Sequence, residues 1–154
     1  MLDRLAGRGV DTARVTLHVG LGTFAPVQVD DLRTHEMHSE WYDLGDHAAE
    51  AVAQCRSAGG KVVAVGTTSL RVLETCAIDT GRVRSASGWT DLFCYPPFDF
   101  RATDALVTNF HLPRSTLLAL VMAFAGEELI RRAYRHAVET RYRFFSYGDA
   151  MLIL

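Results

Sequence analysis

Three stretches of the 154-residue sequence set polar side chains where an apolar segment gives way to a glycine loop or a helix: "VAVGTTS", "LVTNFHLPRST" and "FFSYGDAML". In the first, Thr67, Thr68 and Ser69 follow Gly66 directly; in the second, Thr108, Asn109, His111, Ser115 and Thr116 stand between an apolar strand pattern and an apolar helix pattern. The first-turn N–H groups of a helix lack intrahelical partners and favour anions, so Thr67, Thr68 and Ser69 can cradle a carboxylate or a phosphate. Asn109, His111, Ser115 and Thr116 can line the same mouth, because ligands of open α/β sheets collect outside the carboxyl ends of strands. Hydroxyls in such places also serve simply as helix caps. The residues by themselves leave both readings open.

Other chemistries find less support. His35 and His38, in "HEMH", fall on opposite faces of a strand and have no third ligand at a recognisable spacing, so no metal is expected. Cys55, Cys76 and Cys94 are odd in number, far apart and outside any C-x-x-C pattern, which argues against a disulfide framework and fits a reducing cytoplasm. No G-x-S-x-G, Walker A or G-x-G-x-x-G motif occurs, and "GLGTFA" lacks the last element of the dinucleotide fingerprint. The aromatic residues Phe93, Tyr95, Phe98, Phe100, Phe144, Phe145 and Tyr147 divide between core packing and stacking on a base or facing a cation.

The frame that would hold these groups is an α/β fold, a mostly parallel sheet flanked by helices. "ARVTLHVG" alternates Val15, Leu17 and Val19 with polar residues, the period of a half-buried strand, and "HSEWYDL" reads as a second. From Asp46 a helical stripe runs through Ala48, Ala49, Ala51, Val52 and Cys55 to Gly59 and Gly60. "KVVAVG" is continuously apolar, as in a strand buried on both faces, and "TTSLRVLETCA" places Leu70, Leu73, Cys76 and Ala77 on one helical face. Residues 78–87 read as a turn or hairpin, and "DLFCYPPFDF" as a strand broken by Pro96 and Pro97. "ALVTN" is a strand, a helix follows from about Pro113, and another starts at Glu127 with Leu129, Ile130, Ala133, Tyr134, Ala137 and Val138 on one side.

Composition bounds the reading to one globular unit of 49% hydrophobic residues. The longest apolar run, residues 117–126, is about half the roughly 20 residues a bilayer requires, so no membrane partner is expected. A net charge of −2 argues against nucleic-acid binding through bulk charge. The charge is nevertheless unevenly spread: Arg131, Arg132, Arg135, Arg141 and Arg143 fall together against Glu139. They form a solvated face or a local phosphate-binding patch.

The blocks "VTLHVGLGTFAPV", "HEMHSEWY", "AVGTTSLRVLE", "LFCYPPFDF", "ALVTNFHLPRSTLLALVMAFAG" and "YRFFSYGDAML" closely resemble, in order, those of the S-adenosylmethionine:tRNA ribosyltransferase-isomerase family of queuosine biosynthesis. Members are about twice this length, so the resemblance implies that residues 1–154 are the C-terminal portion of the α/β catalytic domain, without the small β domain of the other half. The family pattern has glycine where this chain has Pro97.

The resemblance implies transfer and isomerisation of the ribosyl group of S-adenosylmethionine, consumed as a substrate, onto a 7-aminomethyl-7-deazaguanine wobble base in a tRNA anticodon loop. Epoxyqueuosine forms; adenine and methionine leave. Laid on the matching blocks, residue chemistry makes His111 and Asp149 proton-transfer candidates, with His38 and Glu40 as a second pair. Thr67, Thr68 and Ser69 would hold an anionic group, Asn109 would bond sugar or base, Ser115 and Thr116 would line the site, and Tyr95, Phe98 or Tyr147 would stack. Arg131, Arg132, Arg135 and Arg143 would meet tRNA, and the missing N-terminal half would join in cis or in trans. The alternatives are an inactive remnant with weak ligand or tRNA binding and, more distantly, a methyltransferase using the same nucleoside.

Overall fold

The computed structural model describes residues 1–24 and 26–154, with the backbone alone for Leu21 and Phe24. Its elements in chain order are α1 (Leu2–Ala6), β1 (Thr16–Leu17), β2 (Glu40–Leu44), α2 (Asp46–Ser57), β3 (Val63–Val65), α3 (Thr67–Ala77), β4 (Ala86–Thr90), β5 (Ala105–Asn109), α4 (Thr116–Ala125), α5 (Glu127–Glu139) and β6 (Ala150–Ile153). Two three-stranded sheets result. One orders β1-β2-β4, antiparallel throughout; the other orders β3-β5-β6. Within the second, β3 and β5 run parallel while β5 and β6 run antiparallel. The α/β class is as expected, and the pairing is more mixed than strand–helix alternation alone implies.

Helix α3 lies between the sheets, touching β1 and β2 on one side and β3 and β5 on the other. That position explains its burial. Leu70, Val72 and Ala77 are fully enclosed, and so are two charged residues, Arg71 and Glu74. A buried charge requires partners. Glu74 finds them in the backbone N–H groups of Arg101, Ala102 and Thr103, which donate to its carboxylate at 2.8–3.3 Å and fix the approach to β5. Asp104 ties the same approach to α2 and β3, accepting from Arg56 Nη1 and Val62 N, each at 2.7 Å.

Several local readings change. Strand β1 covers Thr16–Leu17 only. Residues 91–100 form no strand; the two prolines withhold ladder donors, and the rings pack instead, with Phe98 and Phe100 centroids 4.7 Å apart and Phe100 edge-on to Phe124 at 4.9 Å. A strand at Ala86–Thr90 replaces the end of the expected turn, pairing with β2 from Leu44↔Ala86 to Glu40↔Thr90. Helix α4 starts at Thr116, not Pro113, because Ser115 accepts the Leu118 N–H at 3.1 Å and so caps it. Strand β3 is buried on one face only. Ala64 is enclosed, whereas Val63 and Val65 are 48% and 69% exposed and Leu152 of β6 is 61% exposed.

Candidate functional site

The ends of β3 and β5 open into a cavity of about 550 Å³. Thr67, Thr68 and Arg71 enter its wall from α3, Thr108 and Asn109 from β5, and His111 from the segment that follows. Val19, Thr23, Leu117, Phe145 and Ser146 complete the lining. Thr67, Asn109 and His111 thus come from separate stretches of chain to face one volume, of a size that ordinarily encloses a small organic ligand.

The wall formed by α3 is rich in donors. Gly66 precedes the helix at φ 91°, a backbone conformation that L side chains rarely adopt, and offers no capping side chain to the first turn. Its N–H donates to Val107 O at 2.8 Å, pinning the helix start to β5. Thr67 and Thr68 face the cavity; the Ser69 hydroxyl turns back to Val65 O at 2.9 Å, and that residue lines a different cavity.

One turn below Thr67 stands Arg71, 3% exposed. Its Nε donates to Leu92 O at 3.1 Å and its Nη1 to Glu40 of β2. Glu40, 2% exposed, also accepts from Gly20 N at 2.8 Å and from Thr23 Oγ1 at 2.5 Å. Burial pushes the Glu40 carboxyl up, but the bonds from Thr23, Arg71 and Gly20 outweigh it, leaving the group below the usual carboxylate range. Glu40 therefore sits behind the wall and holds the guanidinium and the 20–23 loop in place. Arg71 and Thr23 were not legible as site residues. The signal for Arg71 is its i+4 spacing from Thr67, which puts both on one helical face.

His111 is 6% exposed, and its Nε2 lies 2.9 Å from Thr108 Oγ1. Burial lowers its pKa to about 4, so the neutral ring prevails at pH 7. Its backbone N–H donates to Tyr134 Oη at 2.8 Å. Tyr134, Phe110 and Phe144 pack ring on ring, with centroids 5.2–5.7 Å apart, and Phe145 N donates to Phe110 O at 2.8 Å. This cluster seats the Phe145–Ser146 segment at the rim.

The remaining candidates lie elsewhere. Asp149 pairs with Arg143, accepting from its backbone N at 2.6 Å and its guanidinium at 3.2 Å, outside the cavity wall. The Asp149 backbone oxygen accepts from Asn109 Nδ2 at 3.2 Å. His38 is exposed, with its ring against Gly22, where a Cβ would come within 1.9 Å of it. Ser115 caps α4 and lines a separate cavity beside Arg131; Thr116, buried, donates to Thr23 O at 3.2 Å. Tyr95 packs on Phe93, Phe98 on Phe100, and Tyr147 is 75% exposed while Phe145 holds the rim. Arg132 and Arg135 are exposed on α5, and Arg131 pairs with Glu127 at 2.7 Å. Among the described residues no group of three or more His, Cys, Asp or Glu could hold a metal ion, and no helix is long and apolar enough to cross a membrane.

The family model described as "Queuosine biosynthesis protein" matches residues 1–153. The chain belongs to that family. A curated relative from Symbiobacterium thermophilum, named S-adenosylmethionine:tRNA ribosyltransferase-isomerase, is 63% identical over 154 residues, covering 100% of this chain and 45% of the relative. A relative of the same name from Azoarcus sp. is 61% identical over 99% of this chain and 44% of its own length. The crystal structure of S-adenosylmethionine tRNA ribosyltransferase from Thermotoga maritima superposes with a TM-score of 0.82 at 48% identity, covering 99% of this chain and 48% of that one. The chain thus spans about half the length of the queuosine biosynthesis proteins it matches.

Proposed function

We propose that this chain is the C-terminal portion of the catalytic domain of a tRNA ribosyltransferase-isomerase. The complete enzyme transfers and isomerises the ribosyl moiety of S-adenosylmethionine onto the 7-aminomethyl-7-deazaguanine wobble base of tRNA in the cytoplasm, yielding epoxyqueuosine with loss of adenine and methionine. The observation that carries this reading, beside family membership, is that Thr67, Asn109 and His111 line a single cavity of about 550 Å³. Its residues fit a sulfonium nucleoside chemically: donors on α3 suit an anionic end, and Asn109 suits the hydrogen-bonding edges of sugar or base.

In this reading His111 works as a neutral imidazole. A ring with pKa near 4 is free to accept a hydrogen bond or a proton at pH 7 but is a weak base, so Thr108 orients it for a short-lived transfer. Arg132 and Arg135 on α5 meet the phosphates flanking a wobble base that has been splayed from its loop. Asp149 acts through Arg143 and Asn109 in shaping the rim.

The test measures adenine and methionine release from S-adenosylmethionine with precursor-bearing tRNA, using this chain alone and with the N-terminal half of the Symbiobacterium thermophilum relative added. Equimolar adenine and methionine support the reading. Release of S-adenosylhomocysteine in their place rejects it. A second reading, in which the chain alone binds the nucleoside without turnover, is favoured by the uncovered apolar side of β3 and β6, where Val63, Val65 and Leu152 face solvent. Binding without release by the chain alone, and release once the other half is supplied, supports it.

A further inference from the structure

Among the described residues, Arg71 Nη2 and Thr103 Oγ1 are the buried side-chain polar atoms without a hydrogen-bond partner, and Arg71 is the one of the two residues that lines the cavity. An enclosed charged donor left unpaired is costly, so this nitrogen calls for an acceptor. The rest of the guanidinium is committed: Nε to Leu92 O and Nη1 to Glu40. Glu40 is shared, since Gly20 and Thr23 donate to its other oxygen. On the same wall the first turn of α3 begins after Gly66 without a capping side chain. One unpaired guanidinium nitrogen and the start of a helix without a capping side chain therefore line the same cavity.

We infer that Arg71 and the first turn of α3 form a carboxylate subsite that holds the amino-acid tail of the nucleoside substrate. The inference rests on the S-adenosylmethionine reading and adds which end of that molecule points toward α3. A monoanionic carboxylate suits the unpaired Nη2, whereas a dianionic phosphate is disfavoured by the Glu40 carboxylate on the neighbouring nitrogen. Arg71 is thus a positioning residue that fixes the tail and leaves the ribose toward Asn109 and His111.

The experiment compares, by calorimetry, S-adenosylmethionine with its decarboxylated form, which keeps the sulfonium and the amine and lacks only the carboxylate. The wild-type chain is expected to prefer S-adenosylmethionine by about tenfold or more, the worth of one charge-assisted hydrogen-bonded pair. In Arg71→Lys, which retains a cation for Glu40 but not the fork, the preference is expected to fall to about twofold or less. A wild-type preference within twofold overturns the subsite while leaving the nucleoside reading intact, and a tenfold preference that survives Arg71→Lys removes Arg71 from it. If neither compound binds the wild type with the N-terminal half of the relative added, the nucleoside reading fails and the subsite with it. Should Arg71→Lys not fold, the Arg71 side-chain NMR signals of the wild type decide. A shift with S-adenosylmethionine and none with the decarboxylated compound supports the assignment; identical spectra overturn it.

Discussion

Thr108 Oγ1 and His111 Nε2 lie 2.9 Å apart inside a wall that leaves the imidazole 6% exposed. Burial lowers the ring's pKa from 6.5 to about 4, so between these values the unfolded chain binds a proton that the folded chain does not. Stability therefore rises with pH across that window and is lost as pH falls, at up to about 1.4 kcal/mol per pH unit for one proton. Denaturant unfolding at pH 7, 6 and 5 should show this slope, and His111→Asn should flatten it. An unchanged slope in the variant would assign the effect to other groups.

Glu40 and Arg71 enclose each other's charge. Glu40→Gln leaves the guanidinium buried without a counter-charge and should cost about 3 kcal/mol or more in urea unfolding. The cost should be much smaller when measured in an Arg71→Met background, because the two changes remove one shared interaction. Additive losses would mean that the pair is not coupled.

Thr67 and Ser69 separate the two readings of the hydroxyl cluster. Thr67 faces the cavity, whereas Ser69 bonds Val65 O. Thr67→Val should weaken S-adenosylmethionine binding severalfold, and Ser69→Ala should leave it within about twofold, for loss of a single neutral hydrogen bond against none. Equal effects of the two would remove Thr67 from the binding wall.

Ser115 is a cap. Ser115→Ala should cost about 1 kcal/mol of stability, with nucleoside affinity unchanged in titrations on the folded variant. A loss of affinity without a loss of stability would return Ser115 to the site.

Arg132 and Arg135 stand exposed on α5. Replacing both with alanine should reduce the slope of log affinity for the tRNA anticodon stem-loop against log salt by about 1.4, two contacts at roughly 0.7 each for single-stranded nucleic acid. Nucleoside affinity should not change. A preserved slope would move the tRNA surface elsewhere.

Legibility in the sequence followed the range of the forces involved. Helices α2, α3 and α5 and strands β2 and β5 were readable because their signals are local: apolar periodicity, capping residues and glycine stops. Strand β4, "ASGWT", has little alternation of its own, and its pairing with β2 is a tertiary fact. The aromatic run of residues 91–100 looked like a strand because β-propensity measures packing on a half-buried surface, and these rings pack without a ladder. At the site, Thr67, Thr68, Asn109 and His111 were visible as polar interruptions at segment ends. Arg71 was not, since an arginine in mid-helix resembles any solvated charge until Glu40, 31 residues earlier, is seen beside it. The caps among the hydroxyls, Ser115 above all, needed the true start of α4 to be known.

Helix α3 belongs to both sheets at once, and its first turn is also a wall of the cavity. Neither sheet can peel away without stripping a side of that helix, so its amides should exchange with solvent only when the whole molecule opens. A ligand held there is consequently gripped by a helix that both sheets share, and occupancy of the cavity raises the free energy of opening the whole molecule.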